Sequence, residues 1–464
     1  MPATISKKYN GVRRENSMVK LEEFFDFDKH EPVNRVGYTK EDADYKIKFI
    51  QKMQELGMEI TMDEVGNICG TIKVGNNPKT TLAIGSHTDS VYDGGQFDGT
   101  AGVVIALKTV EQLIKSKNVS GIIKLPIYAC EESSRFGNAC IGSKYLNGNI
   151  TKEDFEKIVT TNKKDEKQIT LKEAIGFMRA CIKENTQGVV EVEKIFDKVD
   201  YALEAHTEQY ELLQREKQKN GQTTIGIINS IGSAVRIKYH VLGEANHTGS
   251  TPMGERKNAS DGVCYIGNKI RKLGIKYEKQ GKGRASQLDG GTTEQTGSFN
   301  QIPPKGESII DIRVLGDNTW EQALEDFAKI KRKAQKKTRT IITEEIVSKG
   351  NPTTTSERLN EKLAQICSKN NIQFLPMNSG AGQDTSYVPA EDKTMIFIPS
   401  TGGSHNPNES IEPEDIEVAT KVFTGIAQEL LQEKFKDRQV VNVGNAPIII
   451  ENGGEQPVNQ MVLE

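Results

Sequence analysis

Four short apolar runs constrain this 464-residue chain more than any other feature: TTLAIGSH (80–87), GIIKLPIYACEE (121–132), VDYALEAH (199–206) and KTMIFIPS (393–400). A strand that is apolar along nearly its whole length is buried on both faces, so helices must cover both sides of its sheet. The segments between supply such helices. KEDADYKIKFIQKMQELG (40–57) carries Tyr45, Ile47, Phe49, Ile50 and Met53 roughly at helical spacing and ends at Gly57. AGVVIALKTVEQLIKS (101–116) is amphipathic. The fold class expected is α/β, a central mixed sheet covered by helices.

From about residue 219 the texture changes. TTIGIINSIG, SAVRIKYHVLG, ASQLDGG and ESIIDIRVLG read as hairpin-like strands around two helical patterns, NASDGVCYIGNKIRKLG and NTWEQALEDFAKIKRKAQ. This βαββαβ-like order suits a small α+β, ferredoxin-like unit inserted into the larger one. The expected boundaries are a first unit over 1–218 and 348–436, an insert over 219–347, and an appendage of unassigned role over 437–464.

Charge and hydropathy exclude several classes. Lysine plus arginine number 61 and aspartate plus glutamate 64, so no long-range field attracts nucleic acid or an anionic membrane. The basic run KIKRKAQKKTR (329–339) reads as a solvated helix face. No apolar run approaches the roughly 20 residues of a spanning helix. The first residues lack the apolar core of a signal peptide. Six scattered cysteines with no CxxC pair read as reduced thiols, and the expected location is cytoplasmic.

The chemistry-bearing residues collect at the ends of the apolar runs. His87 closes the first, and Asp89, two residues on, shares its face in an extended chain. Asp98 lies in GGQFDG, where glycines let the backbone turn sharply. Glu131 and Glu132 close the second run and His206 the third. His405 sits in the Gly-rich TGGSHNPNE that follows the fourth. Three histidines and at least two carboxylates can hold two divalent ions bridged by a carboxylate, with a remaining glutamate as general base. Nitrogen and oxygen donors without thiolate suit zinc, manganese, cobalt or nickel, and do not choose among them.

GSHTDSV, GGQFDGTAGV, EESSRFG, HTEQ, HTGSTPMGERKNA, NQIPPKGE with DIR, SGAGQDT and GGSHNPNE occur in this order. Together they resemble the amidohydrolase branch of the M20 metallopeptidase family, over about residues 16–435. That branch includes N-carbamoyl-L-amino acid hydrolases, β-ureidopropionases and allantoate amidohydrolases. The resemblance implies two divalent ions per subunit, His87 and His206 on one, Glu132 and His405 on the other, Asp98 bridging. It implies Glu131 as general base, Asp89 as the partner that orients His87, and His247 as an oxyanion donor reaching the partner subunit's site. Gln209, Asn300 and Arg313 would bind substrate, Arg313 gripping a carboxylate through its bidentate fork. The insert would serve as lid and homodimer contact, and the substrate would be a small ureido carboxylate.

Two positions depart from the family pattern. Gln383 stands in GQD where GHD is usual, and a glutamine cannot titrate. Tyr210 stands where glycine is common, and a bulky ring there would reshape a pocket. The rival readings are an exopeptidase or aminoacylase of the same family and a metal-binding homologue that has lost turnover. The HTEQ and TPM motifs argue against the former, and retention of Glu131 with all five ligand types against the latter.

Overall fold

The apolar runs become neighbouring strands of one eleven-stranded mixed sheet. The computed structural model describes residues 18–432, apart from residues 77, 163, 166 and 295–297, and the backbone of 438–443 and 446–451. In chain order the strands are β1 (Glu59–Met62), β2 (Ile68–Val74), β3 (Thr81–Ile84), β4 (Ser86–His87), β5 (Gly121–Tyr128), β6 (Val189–Glu191), β7 (Val199–Thr207) and β8 (Thr224–Ile231). After an intervening unit come β14 (Thr353–Thr354), β15 (Gln373–Ser379) and β16 (Ala390–Ile398). The order across the sheet is β6-β1-β2-β5-β3-β7-β16-β8, with β4 beside β5 and both β14 and β15 beside β8.

The middle of this sheet decides where chemistry can occur. Strands β5, β3, β7 and β16 run parallel, while β2 and β8 flank them antiparallel. The carboxyl ends of the four parallel strands therefore open on one edge, the usual place for a site in such a sheet. Both faces are covered, as their composition demands. Leu82 and Ile84 of β3 point into the larger core with Leu203, whereas Ala83 points to the opposite face with Ala202 and Tyr128. Helices Thr100–Lys115 and Pro413–Leu430 feed Val103, Leu107, Phe423 and Ile426 into the larger core. The first predicted helix runs Lys40–Glu55. The Thr39 side chain accepts the Asp42 N–H at its start, and Gly57, at φ +80°, turns the chain away at its end.

A second, five-stranded sheet holds β9 (Ser233–Leu242), β10 (Gly283–Gln287), β11 (Thr292–Thr293), β12 (Lys305–Val314) and β13 (Ile341–Ser348). Its order is β10-β12-β9-β13, antiparallel throughout, with β11 beside β12. Helices Ala259–Lys279 and Trp320–Thr338 complete a βαββαβ, ferredoxin-like arrangement. Alternate β9 residues Val235, Ile237, Tyr239 and Val241 meet Val263, Ile266, Ile270 and Phe327 from the helices. Each such buried side chain contributes about 1.5–3 kcal/mol, so the unit has its own core.

The entry into this unit differs from the sequence expectation. TTIGIINSIG, assigned there to the insert that begins at 219, forms β8 of the large sheet, paired with β16 and β15. The small sheet starts at β9, one residue later. Both stretches are equally apolar and β-rich, and nothing local says which sheet a strand will join. The return is adjacent: β14 pairs antiparallel with β8, Thr353 opposite Ile231 and Thr354 opposite Ser230. The crossing is tight, since a Cβ on Gly350 would lie 2.4 Å from Ser233 Oγ. Beyond the last helix, β17 (Arg438–Val443) and β18 (Ala446–Glu451) pair as a hairpin within the expected appendage. The rest of that appendage, residues 437, 444–445 and 452–464, lies outside the described residues. Among the described residues no helix is long and apolar enough to cross a membrane, and all six cysteines are free.

Candidate metal centre

The carboxyl ends of the parallel strands bring five of the predicted residues together. His87, Asp98 and His206 form one group whose donor atoms all lie within 4.8 Å of one another; Asp98, Glu132 and His405 form a second. Asp98 belongs to both. Its Oδ1 lies 3.2 Å from His206 Nε2 and its Oδ2 3.4 Å from His405 Nε2. Glu132 Oε1 lies 3.1 Å from His405 Nε2.

Each element contributes for a local reason. β4 pairs with the end of β5, setting His87 opposite Tyr128, so His87 and the two glutamates converge. β5 stops at Tyr128, and Cys130, at φ +52°, turns the chain, which frees Glu131 and Glu132 from strand alternation. Gly99, at φ +62°, starts the helix after Asp98; a Cβ there would lie 2.4 Å from the His87 ring, so only glycine lets the ring pass. His405 itself sits at φ +59° after Gly402 and Gly403, both at +79°.

The protons of the two inner histidines are placed. His87 Nδ1–H donates to the carbonyl of Asp89 at 3.0 Å, and His206 Nδ1–H donates to the carbonyl of Thr207 at 3.0 Å. In neutral rings hydrogen-bonded this way, the two Nε2 atoms, 3.3 Å apart, would both be acceptors. Two acceptors that close call for a cation between them, and a carbonyl on the far nitrogen is the usual support for a ligating imidazole.

Charge balance points the same way. Among the described residues no lysine or arginine pairs with Asp98, Glu131 or Glu132. Burial pushes the Glu131 carboxyl well above its ordinary range against the pull of His87, and the Glu132 charge adds to the rise. Burial likewise raises Glu132, with His405 opposing. Burial would raise Asp98 too, but His206, His405 and His87 together hold it below the usual range. For His405, burial would lower the pKa, yet the Glu132 hydrogen bond and the charges of Glu132 and Asp98 carry it up to about 9. The side chain is 48% exposed, so solvent reaches this end of the cluster. A nest of buried carboxylates and imidazoles with no lysine or arginine paired to it suits divalent ions.

Asp89 touches both His87 and the glutamate pair. Its carboxylate stands 3.6 Å from His87 Nδ1, while its two oxygens accept the backbone N–H groups of Glu131 at 3.1 Å and Glu132 at 3.0 Å. The carbonyl orients His87, and the carboxylate anchors the glutamate pair.

The residues expected to bind substrate are spread. Gln209 lies partly exposed on the loop after β7. His247, Asn300 and Arg313 lie in the small unit, with no hydrogen bond or ion pair to the histidine–carboxylate cluster among the described residues. His247 Nδ1 accepts the N–H groups of Gly249 and Ser250 at 3.0 and 3.2 Å, and the Asn300 side-chain Nδ2 lies 3.2 Å from His247 Nε2. Arg313 Nε donates to Asp311 Oδ1 at 2.7 Å, and Arg236 Nε donates to Oδ2 of the same carboxylate at 3.0 Å. Tyr210 is 58% exposed, with Arg215 5.0 Å over its ring, so it turns to solvent rather than narrowing a pocket. Gln383 is 1% exposed and its Oε1 has no hydrogen-bond partner; Asp384 Oδ2 is equally unpaired.

Sequence reasoning passed over Glu409 as a site residue, although it closes the GGSHNPNE motif. One oxygen accepts the N–H groups of Phe97 and Asp98, and the other accepts the Thr207 hydroxyl, so Glu409 fixes the backbone that carries Asp98. Ser404 Oγ–H donates to Asp98 at 3.0 Å.

Residues 83–429 match the family described as Peptidase family M20/M25/M40. An N-carbamoyl-L-amino-acid amidohydrolase of Pseudomonas sp. (strain NS671) is 29% identical over 85% of this chain and 92% of that protein. An allantoate amidohydrolase of Bacillus subtilis is 28% identical over 86% of this chain and 92% of that protein. A solved amidase of the hydantoinase/carbamoylase family from Burkholderia multivorans superposes with a TM-score of 0.73 at 23% identity, covering 87% of this chain and 94% of that one.

Proposed function

The chain belongs to peptidase family M20/M25/M40, and from that premise we propose that it is a dinuclear-metal amidohydrolase cleaving the ureido C–N bond of an N-carbamoyl amino acid or allantoate-like substrate. Relatives named for N-carbamoyl-L-amino acids and allantoate support the reaction class, hydrolysis of a non-peptide C–N bond. The single observation carrying the metal reading is the pair of His87 and His206 Nε2 atoms 3.3 Å apart beside a carboxylate shared with a second donor group. His87, His206 and Asp98 would hold one ion, and Asp98, Glu132 and His405 the other. Held there, divalent ions would supply Lewis-acid polarisation of a carbonyl and a lowered pKa of water.

The chain's own residues do the rest. Glu131, beside the cluster with Oε2 3.9 Å from His87 Nε2, takes the proton of the attacking water and returns it to the leaving nitrogen. Its burial keeps it a stronger base than an exposed glutamate. The small unit supplies recognition: Arg313, already oriented by Asp311, offers its remaining guanidinium N–H groups to the substrate carboxylate. His247 Nε2–H donates to the developing oxyanion, with Asn300 and Gln209 holding the polar substrate. A carbamoyl group leaves as ammonia and carbon dioxide. The small unit is the proposed lid and the contact between two subunits.

The test is ammonia release from metal-loaded protein offered allantoate, N-carbamoyl-L-α-amino acids and N-carbamoyl-β-alanine, with a chelated control. Chelator-sensitive release from one compound supports the reading, and Glu131→Gln then abolishes turnover with metal still bound. Release of amino acid from a peptide or acyl amide instead would make the protein an exopeptidase or aminoacylase.

A further inference from the structure

The proposed base is held at two points by one residue that no motif brought forward. Cys140 Sγ lies 3.2 Å from Glu131 Oε1, and the Cys140 backbone N–H donates to the Glu131 carbonyl at 2.7 Å. Both residues are buried, Cys140 at 1% and Glu131 at 7% exposure. Among the described residues no other side chain donates a hydrogen bond to the Glu131 carboxylate. We propose that Cys140 is a positioning residue whose thiol ties down one oxygen of Glu131 so that the other is presented to the metal-ligating cluster.

Three further observations support this. Burial pushes the Cys140 thiol well above its ordinary pKa, and the charges of Glu131 and Asp384 push the same way, so the sulfur keeps its proton and acts as donor. Cys140 sits at φ +56°, a left-handed conformation that disfavours a residue with a Cβ. That strain is overcome by a short ladder in which Ile141 N–H donates to the Cys130 carbonyl and Gly142 N–H to the Ala129 carbonyl. The ladder extends past the end of β5 and sets Cys140 directly across from Glu131. A cysteine that merely filled space would need neither the turn nor a sulfur facing a carboxylate.

The inference rests on Glu131 being the base, so the experiment separates the two. In metal-loaded protein, kcat, KM, bound metal and melting midpoint are measured for Cys140→Ala, Cys140→Gly, Cys140→Ser and Glu131→Gln on the substrate that the wild type turns over. Loss of the thiol donor lowers kcat about tenfold in both the alanine and the glycine variant, with KM and metal content unchanged. Glycine relieves the left-handed backbone, so this variant is at least as stable as the alanine one and still slow. Serine restores a donor and returns kcat to within about threefold of wild type. Wild-type kcat in the alanine and glycine variants overturns the proposal, as does serine falling as far as alanine. An active Glu131→Gln overturns the assignment of the base itself.

Discussion

Replacing Asp89 by asparagine separates two ways in which that residue could support the metal centre. Its carboxylate accepts two backbone N–H groups, from Glu131 and Glu132, at 3.1 and 3.0 Å. Asparagine keeps one acceptor and turns an NH2 toward the other N–H, leaving that donor buried and unpaired. A lost hydrogen bond to a charged group with an orphaned donor costs about 2–4 kcal/mol. With an unfolding entropy of roughly 2.1 cal/mol/K per residue over roughly 400 residues, the melting midpoint of metal-free protein falls by about 2–5 °C. The effect on metal is uneven. The His87 ring is oriented by the Asp89 carbonyl, which asparagine retains, so the ion on His87 and His206 stays. Glu132 loses its backbone anchor, so the ion on Glu132 and His405 is held about 10–100-fold more weakly. Stepwise chelation with metal counting after each step resolves the two sites. An unchanged midpoint, or earlier loss of the ion on His87 and His206, would refute the reasoning and return Asp89 to orienting the ring.

Two predictions concern protons. His405 is raised to about 9 by Glu132 and Asp98 against its burial, so below that pH its ring carries a proton that a metal must displace. Metal uptake at pH 7 therefore releases protons, and affinity climbs toward pH 9 before levelling; calorimetry in two buffers of different ionisation enthalpy reads this, and buffer-independent heats would contradict it. Burial lowers Lys393 from 10.5 to about 8, although its ammonium donates to the carbonyls of Ser386 and Val388. Between those values the unfolded chain binds the extra proton, so wild-type stability relative to Lys393→Met rises with pH from about 8 to 10.5, by up to about 3 kcal/mol. Urea midpoints of both proteins across that range check it, and a constant difference would show that the lysine is not desolvated.

The large sheet and its helices were legible because apolar runs and amphipathic spacing are local properties. That five candidate ligands gather in one place was legible for the same reason: each ends a run or sits in a loop near one, and parallel strands place their ends together. What escaped depends on pairing between distant segments. Thr224–Ile231 looks like its neighbour in sequence, and only its partners β15 and β16 put it in the large sheet. The Asp89 carboxylate lies beside His87, and it also accepts N–H groups more than forty residues away, which no local pattern shows. Glu409 acts on Phe97 and Asp98 from the far end of the chain. Cys140 had no signal at all, since a buried thiol beside a carboxylate reads in sequence as one more small core residue.

The hydrogen bonds between β8 and β14 make the ferredoxin-like unit separable. Its two ends meet at neighbouring residues of the host, Ile231 opposite Thr353, so a short turn could replace it without moving any residue of the histidine–carboxylate cluster. Such a unit can be exchanged as a cassette. A chain of this design can keep the strand ends of its large sheet while it trades the small unit beside them.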